Sequence, residues 1–238
     1  MAAAPLLLQD WRAVPPAARG ATVALGNFDG VHRGHHAVLA AAHAARPDLP
    51  LAVLTFEPHP REFFRPGDPP FRLTLLPAKL AAFGPLGCAT VLALPFDAAL
   101  AAGPALVKPN RAELAALLGR PLPDRDALVA AGQELRDRGI ARVVVSDGGE
   151  GALFVLPGAT LWATPPKVAL TTTVGAGDAM VAGLAAAIAR GLDAEATARL
   201  ATGCAAAAVS RDVGAPGGGV PLLAEIERLS AQCRIERL

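Results

Sequence analysis

Thr171-Thr172-Thr173-Val174-Gly175-Ala176-Gly177-Asp178 follows a β-prone segment and leads into Ala179 to Arg190, which reads as a helix. Two glycines at the mouth of a helix let the backbone approach an anion closely. The free N–H groups and the positive end of the helix dipole then point at that anion. Asp178 stands just inside the same turn, beside any bound phosphate, where a carboxylate needs a task. The task that suits it is to accept a proton from a hydroxyl attacking that phosphate. The same spacing also describes a plain helix start, with glycines for the turn and an aspartate favoured by the dipole.

Outward from the octet, the 238-residue chain has room for one large α/β domain or two small ones. It is 53% hydrophobic and rich in alanine, which suits tightly packed helices. Its apolar runs are interrupted by Arg, Asp or Glu before they reach the roughly 18 residues of a membrane span. Met1 to Leu8 has no basic n-region and too short an apolar run for a signal peptide. A formal charge of +1 gives no argument for nucleic acid or an anionic surface. Cys88, Cys204 and Cys233 are scattered, as expected of reduced, buried thiols in a cytoplasmic protein.

Taken in order, residues 1 to 18 read as an irregular lead, and Ala21 to Leu25 as a buried strand. A loop from Gly26 to His36 opens a helix through about Ala45, and Leu51 to Thr55 is a second strand. A proline-rich loop runs to about Pro70. Pro77 to Phe83 is a short helix and Ala89 to Leu94 a third strand, giving the β-α-β-α-β rhythm of a parallel, helix-covered sheet. Ala98 to Pro104 is a soft boundary. Beyond it come a short strand at Ala105 to Val107, helices at Asn110 to Leu118 and Asp126 to Arg138, and a strand at Arg142 to Ser146. A turn at Asp147 to Gly151 leads to a hairpin around Pro157-Gly158 and then to the octet. Helices at about Asp193 to Ser210 and Pro221 to Ala231 flank a Gly217-Gly218-Gly219 loop.

Three further stretches carry chemistry. In Gly26-Asn27-Phe28-Asp29-Gly30-Val31-His32-Arg33-Gly34-His35, two imidazoles at a helix start can both face a triphosphate. A metal-binding pair is the alternative there, although no carboxylate or cysteine ligand lies at a familiar spacing. In Lys108-Pro109-Asn110-Arg111-Ala112-Glu113, Asn110 and Glu113 fit either a capping box or a Mg²⁺ site held through water. Ser146-Asp147-Gly148-Gly149-Glu150-Gly151 is either a tight turn between strands or a phosphate-lining turn.

The octet resembles the signature of the PfkB (ribokinase-like) carbohydrate kinases, especially the 1-phosphofructokinase branch. The resemblance covers roughly residues 99 to 238 and extends to the closing Arg234-Ile235-Glu236-Arg237-Leu238. It implies Asp178 as catalytic base and Gly175, Ala176 and Gly177 as the anion hole. It further implies ATP contacts at Lys108, Asn110, Glu113, Ser146, Gly148, Gly151, Thr173 and Gly203, with Mg²⁺ carried by Asn110 and Glu113 through water. Asp147 departs from that family, which usually carries an apolar residue there. Roughly residues 19 to 98 are similar instead to the FMN adenylyltransferase part of bacterial bifunctional riboflavin kinase/FAD synthetase. Thr55-Phe56-Glu57-Pro58-His59-Pro60-Arg61-Glu62, Arg72-Leu73-Thr74 and Leu94-Pro95-Phe96-Asp97 add to the match. This second resemblance implies nucleotide contacts at Gly26, Asn27, Phe28, Asp29, His32, Gly34 and His35, with FMN or FAD as substrate or product.

The two resemblances imply a hybrid: a nucleotidyltransferase-like segment over residues 1–98 and a PfkB ATP-binding segment over residues 99–238. The expected fold is a layered α-β-α Rossmann-like and ribokinase-like arrangement around a mostly parallel sheet, with one shared hybrid sheet as an option. The sugar-contacting half of the kinase and the later nucleotide motif of the adenylyltransferase have no counterpart in the sequence. The functions in contention are a sugar-phosphate kinase, an FMN adenylyltransferase and a nucleotide binder without turnover. The partners expected are small-molecule substrates, with no nucleic acid or membrane and with a homodimer left open.

Overall fold

The structure is a computed structural model and describes residues 4–64, 67, 69, 72–95, 103–173, 175–211 and 222–238. The chain divides into two compact units, Met1–Ala102 and Gly103–Leu238.

The first unit runs β1 (Leu6–Leu8), β2 (Thr22–Leu25), α1 (Arg33–Ala45), β3 (Leu51–Phe56), α2 (Pro60–Phe64), α3 (Leu76–Phe83) and β4 (Cys88–Leu94). Its four strands are all parallel, in the order β1-β4-β3-β2. β3 and β4 are central, and their near-continuous apolar runs match burial on both faces. Leu39 of α1, Phe83 of α3, Val53, Val91 and the loop residue Phe28 close the core. Phe83 and Leu39 are almost wholly buried, each worth about 1.5–3 kcal/mol in removed apolar surface. Pro77 occupies the first turn of α3, where its missing N–H costs nothing.

The second unit runs α4 (Arg111–Leu118), α5 (Arg125–Asp137), β5 (Val143–Ser146), β6 (Ala152–Leu156), β7 (Ala159–Thr164), α6 (Ala176–Ala189), α7 (Ala194–Ser210), α8 (Leu223–Gln232) and β8 (Arg234–Arg237). The sheet order is β5-β6-β7-β8, antiparallel throughout, and Val107 and Asn110 make parallel bridges to β5. Every residue of β6 is buried. Leu153 and Val155 pack on α5, which approaches closely at Gly132. Phe154 and Leu156 face Met180 and Leu184 of α6 and Ala198 and Ala201 of α7. Small residues let the helices meet: Gly183 lies against Ala201, and Gly203 against Ser230. This is an α-β-α layering, as expected.

Several expectations change. The strands form two separate four-stranded sheets rather than one hybrid sheet, because β1 and β3 occupy both edges of β4 and Val107 pairs with Val143. The second sheet is antiparallel: short turns join β5 to β6 and β6 to β7, and β8 returns after α8 to pair antiparallel with β7. The lead contains β1, the proline-rich loop contains α2, and the closing residues form β8. β2 is an edge strand, with Val23 53% and Leu25 62% exposed. Ala105 to Val107 is a bridge rather than a strand, and no strand lies between Thr164 and the octet. The Gly217-Gly218-Gly219 loop, Phe96-Asp97, the boundary residues 98–102 and Val174 lie outside the described residues. Cys88, Cys204 and Cys233 are all buried and free, and burial pushes the Cys88 and Cys233 thiols up to about 11. No helix among the described residues is long and apolar enough to cross a membrane.

Candidate functional site

In the second unit the octet is held from behind. Thr171 N and Thr172 N both donate to Val209 O near the end of α7, at 2.9 and 3.2 Å. Gly175 caps α6 with φ 83°, a left-handed conformation that costs a side-chain-bearing residue about 1–2 kcal/mol. The first turn of α6 therefore presents its N–H groups from a backbone without Cβ atoms at Gly175 and Gly177. Asp178 is exposed within that turn, as is Thr173 just before it.

Two cations flank the turn. A methyl placed on Gly177 would stand 3.5 Å from Lys108 Nζ, and one on Gly175 3.5 Å from Arg211 Nη2. Lys108 arrives from the segment that bridges to β5, and Arg211 from the C-terminal end of α7. Burial lowers the Lys108 ammonium from its ordinary value, against the opposing pull of Glu113 and Asp178. The partly desolvated ammonium is thus poised for an anion. The sequence carried no sign of Arg211, because its place depends on how α7 folds back over the turn.

Asn110 and Glu113 close a reciprocal capping box on α4. Asn110 Oδ1 accepts from Glu113 N at 2.9 Å, and Glu113 Oε2 accepts from Asn110 N at 2.8 Å. The plain reading of this pair is therefore present in full, and it fixes both side chains at the start of the helix. Ser146 ends β5, where its N donates to Pro109 O at 3.1 Å. An open cleft of about 520 Å³ lies here, lined by Asn110, Arg111, Leu122, Ser146, Asp147 and Gly148. Asp147 pairs with Arg111 at 3.0 Å. Gly151 has φ 128°, and a Cβ there would collide with the Ala163 carbonyl. Gly203 is buried, with Ser230 where its Cβ would stand. Both glycines thus have a packing reason of their own.

In the first unit the loop from Gly26 to His35 is built on side chains. Gly26 N donates to Leu54 O, and Thr55 Oγ1 donates to Asn27 O at 3.2 Å. Phe28 takes φ 49° and Val31 φ 37°, both left-handed. Burial of the Phe28 ring, edge-on to Phe83 with centroids 5.5 Å apart, offsets that strain. The Asp29 carboxylate accepts from Leu73 N at 3.0 Å, Thr74 N at 2.8 Å and Thr74 Oγ1 at 3.1 Å. Burial alone would raise that carboxyl, but these bonds and the charge of Lys79 outweigh it and hold it below its ordinary value. Arg72 reaches Glu57 and Glu62, and the fully buried Lys79 pairs with Glu57 at 3.1 Å. Arg72-Leu73-Thr74 is therefore fastened against the loop.

His32 caps α1, and its ring stacks on His35 with centroids 3.7 Å apart and planes 18° from parallel. A Cβ on Gly34 would press on His32 at 3.1 Å, so the glycine makes room for the stack. His35 Nδ1 and Asn27 Oδ1 are buried without a hydrogen-bond partner among the described residues. Burial, with the His32 charge, lowers the His35 imidazole from its ordinary value. His36 and His43 are exposed on α1. Burial also lowers His59, which is half-buried at the start of α2. Among the described residues no three His, Cys, Asp or Glu side chains gather as metal ligands. A Mg²⁺ held by waters and phosphate oxygens needs no such group.

A family model described as pfkB family carbohydrate kinase matches residues 80–215, and one described as FAD synthetase matches residues 14–106. The chain is 49% identical over 114 residues to the 1-phosphofructokinase of Escherichia coli (strain K12), covering 48% of this chain and 36% of that protein. It is 46% identical over 136 residues to the 1-phosphofructokinase of Rhodobacter capsulatus, covering 57% and 41%. Over 84 residues it is 46% identical to the bifunctional riboflavin kinase/FMN adenylyltransferase of Pseudomonas fluorescens, covering 34% and 27%. The chain thus spans 27% to 41% of the length of these relatives. Among solved structures, Escherichia coli phosphofructokinase-2 in complex with substrates and products is similar with TM-score 0.55. It is 24% identical, and the match covers 81% of this chain and 61% of that one. Arabidopsis thaliana ribokinase complexed with ribose and ATP is similar with TM-score 0.51 at 19% identity, covering 84% and 59%. These likenesses establish the fold.

Proposed function

Because the chain belongs to the pfkB family of carbohydrate kinases, we propose that its second unit binds Mg-ATP and transfers the terminal phosphoryl group to a sugar-phosphate hydroxyl. The observation that carries this reading is the setting of the α6 turn. Lys108 lies against Gly177 and Arg211 against Gly175, so two cations and the helix N-terminus converge beside Asp178. Asp178 accepts the hydroxyl proton as the substrate oxygen bonds to the γ-phosphorus, and the bond to the ADP oxygen breaks. The turn N–H groups and Lys108 stabilise the charge on the transferring oxygens. Asn110 and Glu113, fixed by their capping box, would hold Mg²⁺ through water, and the ion would neutralise phosphate charge. Ser146 and Gly148 border the cleft that takes the nucleotide. In this reading the second unit corresponds to the kinase segment, residues 99–238, and the first to the nucleotidyltransferase-like segment, residues 1–98.

The relatives named 1-phosphofructokinase make fructose 1-phosphate the first acceptor to try. ADP release is measured with Mg-ATP and a panel of sugar phosphates. Asp178→Asn is expected to lower the rate by about 10²–10⁴-fold, the usual span for a general base. Equal rates for the two proteins would contradict the kinase reading. Saturable Mg-ATP binding with no ADP release would identify a nucleotide binder without turnover.

A second reading, FMN adenylyltransferase, is favoured by one observation in the first unit. The stacked His32 and His35 sit at the start of α1 with His35 Nδ1 buried and unsatisfied among the described residues. Imidazoles there suit charge developing on a transferring nucleotidyl group. Chromatography of FMN and Mg-ATP mixtures tests it: FAD formed by wild type and not by His35→Ala supports this reading, and none above that control rules it out.

A further inference from the structure

Asp147 and Arg111 stand where each charge alone is unfavourable. Asp147 puts a carboxylate between Ser146 and Gly148 on the wall of the cleft, and its side chain is only 15% exposed. Its backbone N donates to Gly151 O at 2.8 Å, which fixes the main chain of the turn here, and the Arg111 pair holds the carboxylate. Arg111 is the first residue of α4, where a cation opposes the helix dipole. The two meet at 3.0 Å across the cleft, one from the helix start and one from the turn after β5. Glu113, the other carboxylate at this helix start, is held in the capping box, and Lys108 is directed to Gly177 instead.

We propose that Arg111 is a positioning residue of the nucleotide site: its guanidinium neutralises Asp147 and so allows a polyphosphate to lie along the Ser146–Gly148 turn. The inference rests on the reading of this unit as an ATP site. A carboxylate left unpaired on this wall repels the phosphates, and the loss is felt by the ligand rather than by the fold. Arg111 acts through Asp147, so its effect vanishes once the Asp147 charge is gone. That dependence separates it from an arginine that grips phosphate itself, whose loss would be felt with or without the carboxylate.

The test is a double-mutant cycle on the full chain, read by calorimetric titration with Mg-ATP. Arg111→Ala is expected to weaken binding by about tenfold, the order of one uncompensated charge near a phosphate in a partly exposed site. Arg111→Lys, which keeps the charge, and Asp147→Asn should each stay within about twofold of wild type, a difference of about 0.4 kcal/mol. The double variant Arg111→Ala with Asp147→Asn should recover to the same range. A loss of equal size with and without the Asp147 charge overturns the proposal, as does a wild-type affinity in Arg111→Ala. Urea unfolding checks each variant, and Arg111→Gln replaces Arg111→Ala in the cycle if the alanine variant does not fold. Wild type that binds no Mg-ATP overturns the ATP reading and the proposal with it. Wild-type binding with a failed cycle overturns the proposal alone.

Discussion

The turn at Gly175–Gly177 and the loop at Gly26–His35 each open a helix, α6 and α1, and they are built by opposite means. The first is a backbone device: glycine supplies the left-handed conformation, the helix supplies donors, and cations come from elsewhere in the unit. The second is a side-chain device. Phe28 and Val31 take left-handed conformations without being glycine, and a buried ring and the Asp29 carboxylate hold the loop in shape. A glycine turn asks little of the core, whereas a strained loop depends on it. The two should therefore respond differently to substitution, and the helix-start pattern alone does not reveal which kind of turn is present.

The comparison breaks most sharply at Phe28. Phe28→Ala removes a ring that is 2% exposed and should destabilise the first unit by about 3–5 kcal/mol, as for other buried phenylalanines. Urea unfolding measures it, and a loss below about 1 kcal/mol would show that the ring does not hold the loop. Asp29→Ala should come next, at about 1–2 kcal/mol, because it strands the Leu73 and Thr74 N–H donors in a partly exposed site. Gly175→Ala in the other turn should cost only about 1 kcal/mol, from the left-handed φ. It should disturb ligand binding more than stability, since the added methyl stands 3.5 Å from Arg211.

The smallest expected effect is pH-dependent. His35 is held below its ordinary 6.5, chiefly by burial, so the unfolded chain binds that proton more readily than the folded one. Stability contributed at this position therefore rises with pH through the window below 6.5 and is lost as pH falls toward the lowered folded value. His35→Gln should flatten part of the acid slope of the urea midpoint. His59, shifted the same way, should keep the remainder. An unchanged slope would contradict the burial of His35.

Much of the fold was legible in the sequence. The apolar runs that became β3 and β4, the alanine-rich helices and the Asn110–Glu113 cap all follow from local pattern. β1 and β8 were not legible, because neither alternates. Leu6–Leu8 is three leucines between polar or proline-rich neighbours, and Arg234–Arg237 is mostly charged and exists through its pairing with β7. The octet named Asp178 and its glycines, yet Lys108 and Arg211 reach that turn from distant parts of the chain. Asp147, which stands where the resembled family usually carries an apolar residue, has a partner in Arg111 that no spacing rule exposes. Local rules see the backbone half of a site, and tertiary packing supplies the charges around it.

The most direct measurement is calorimetric titration of the full chain with Mg-ATP, comparing wild type with Lys108→Met and His35→Ala. The account predicts saturable binding by wild type, weakened by about tenfold or more in Lys108→Met, as expected for a half-buried cation on phosphate. His35→Ala should retain that binding. Equal binding by Lys108→Met and wild type, or binding lost only in His35→Ala, would contradict it and move the nucleotide site to the first unit.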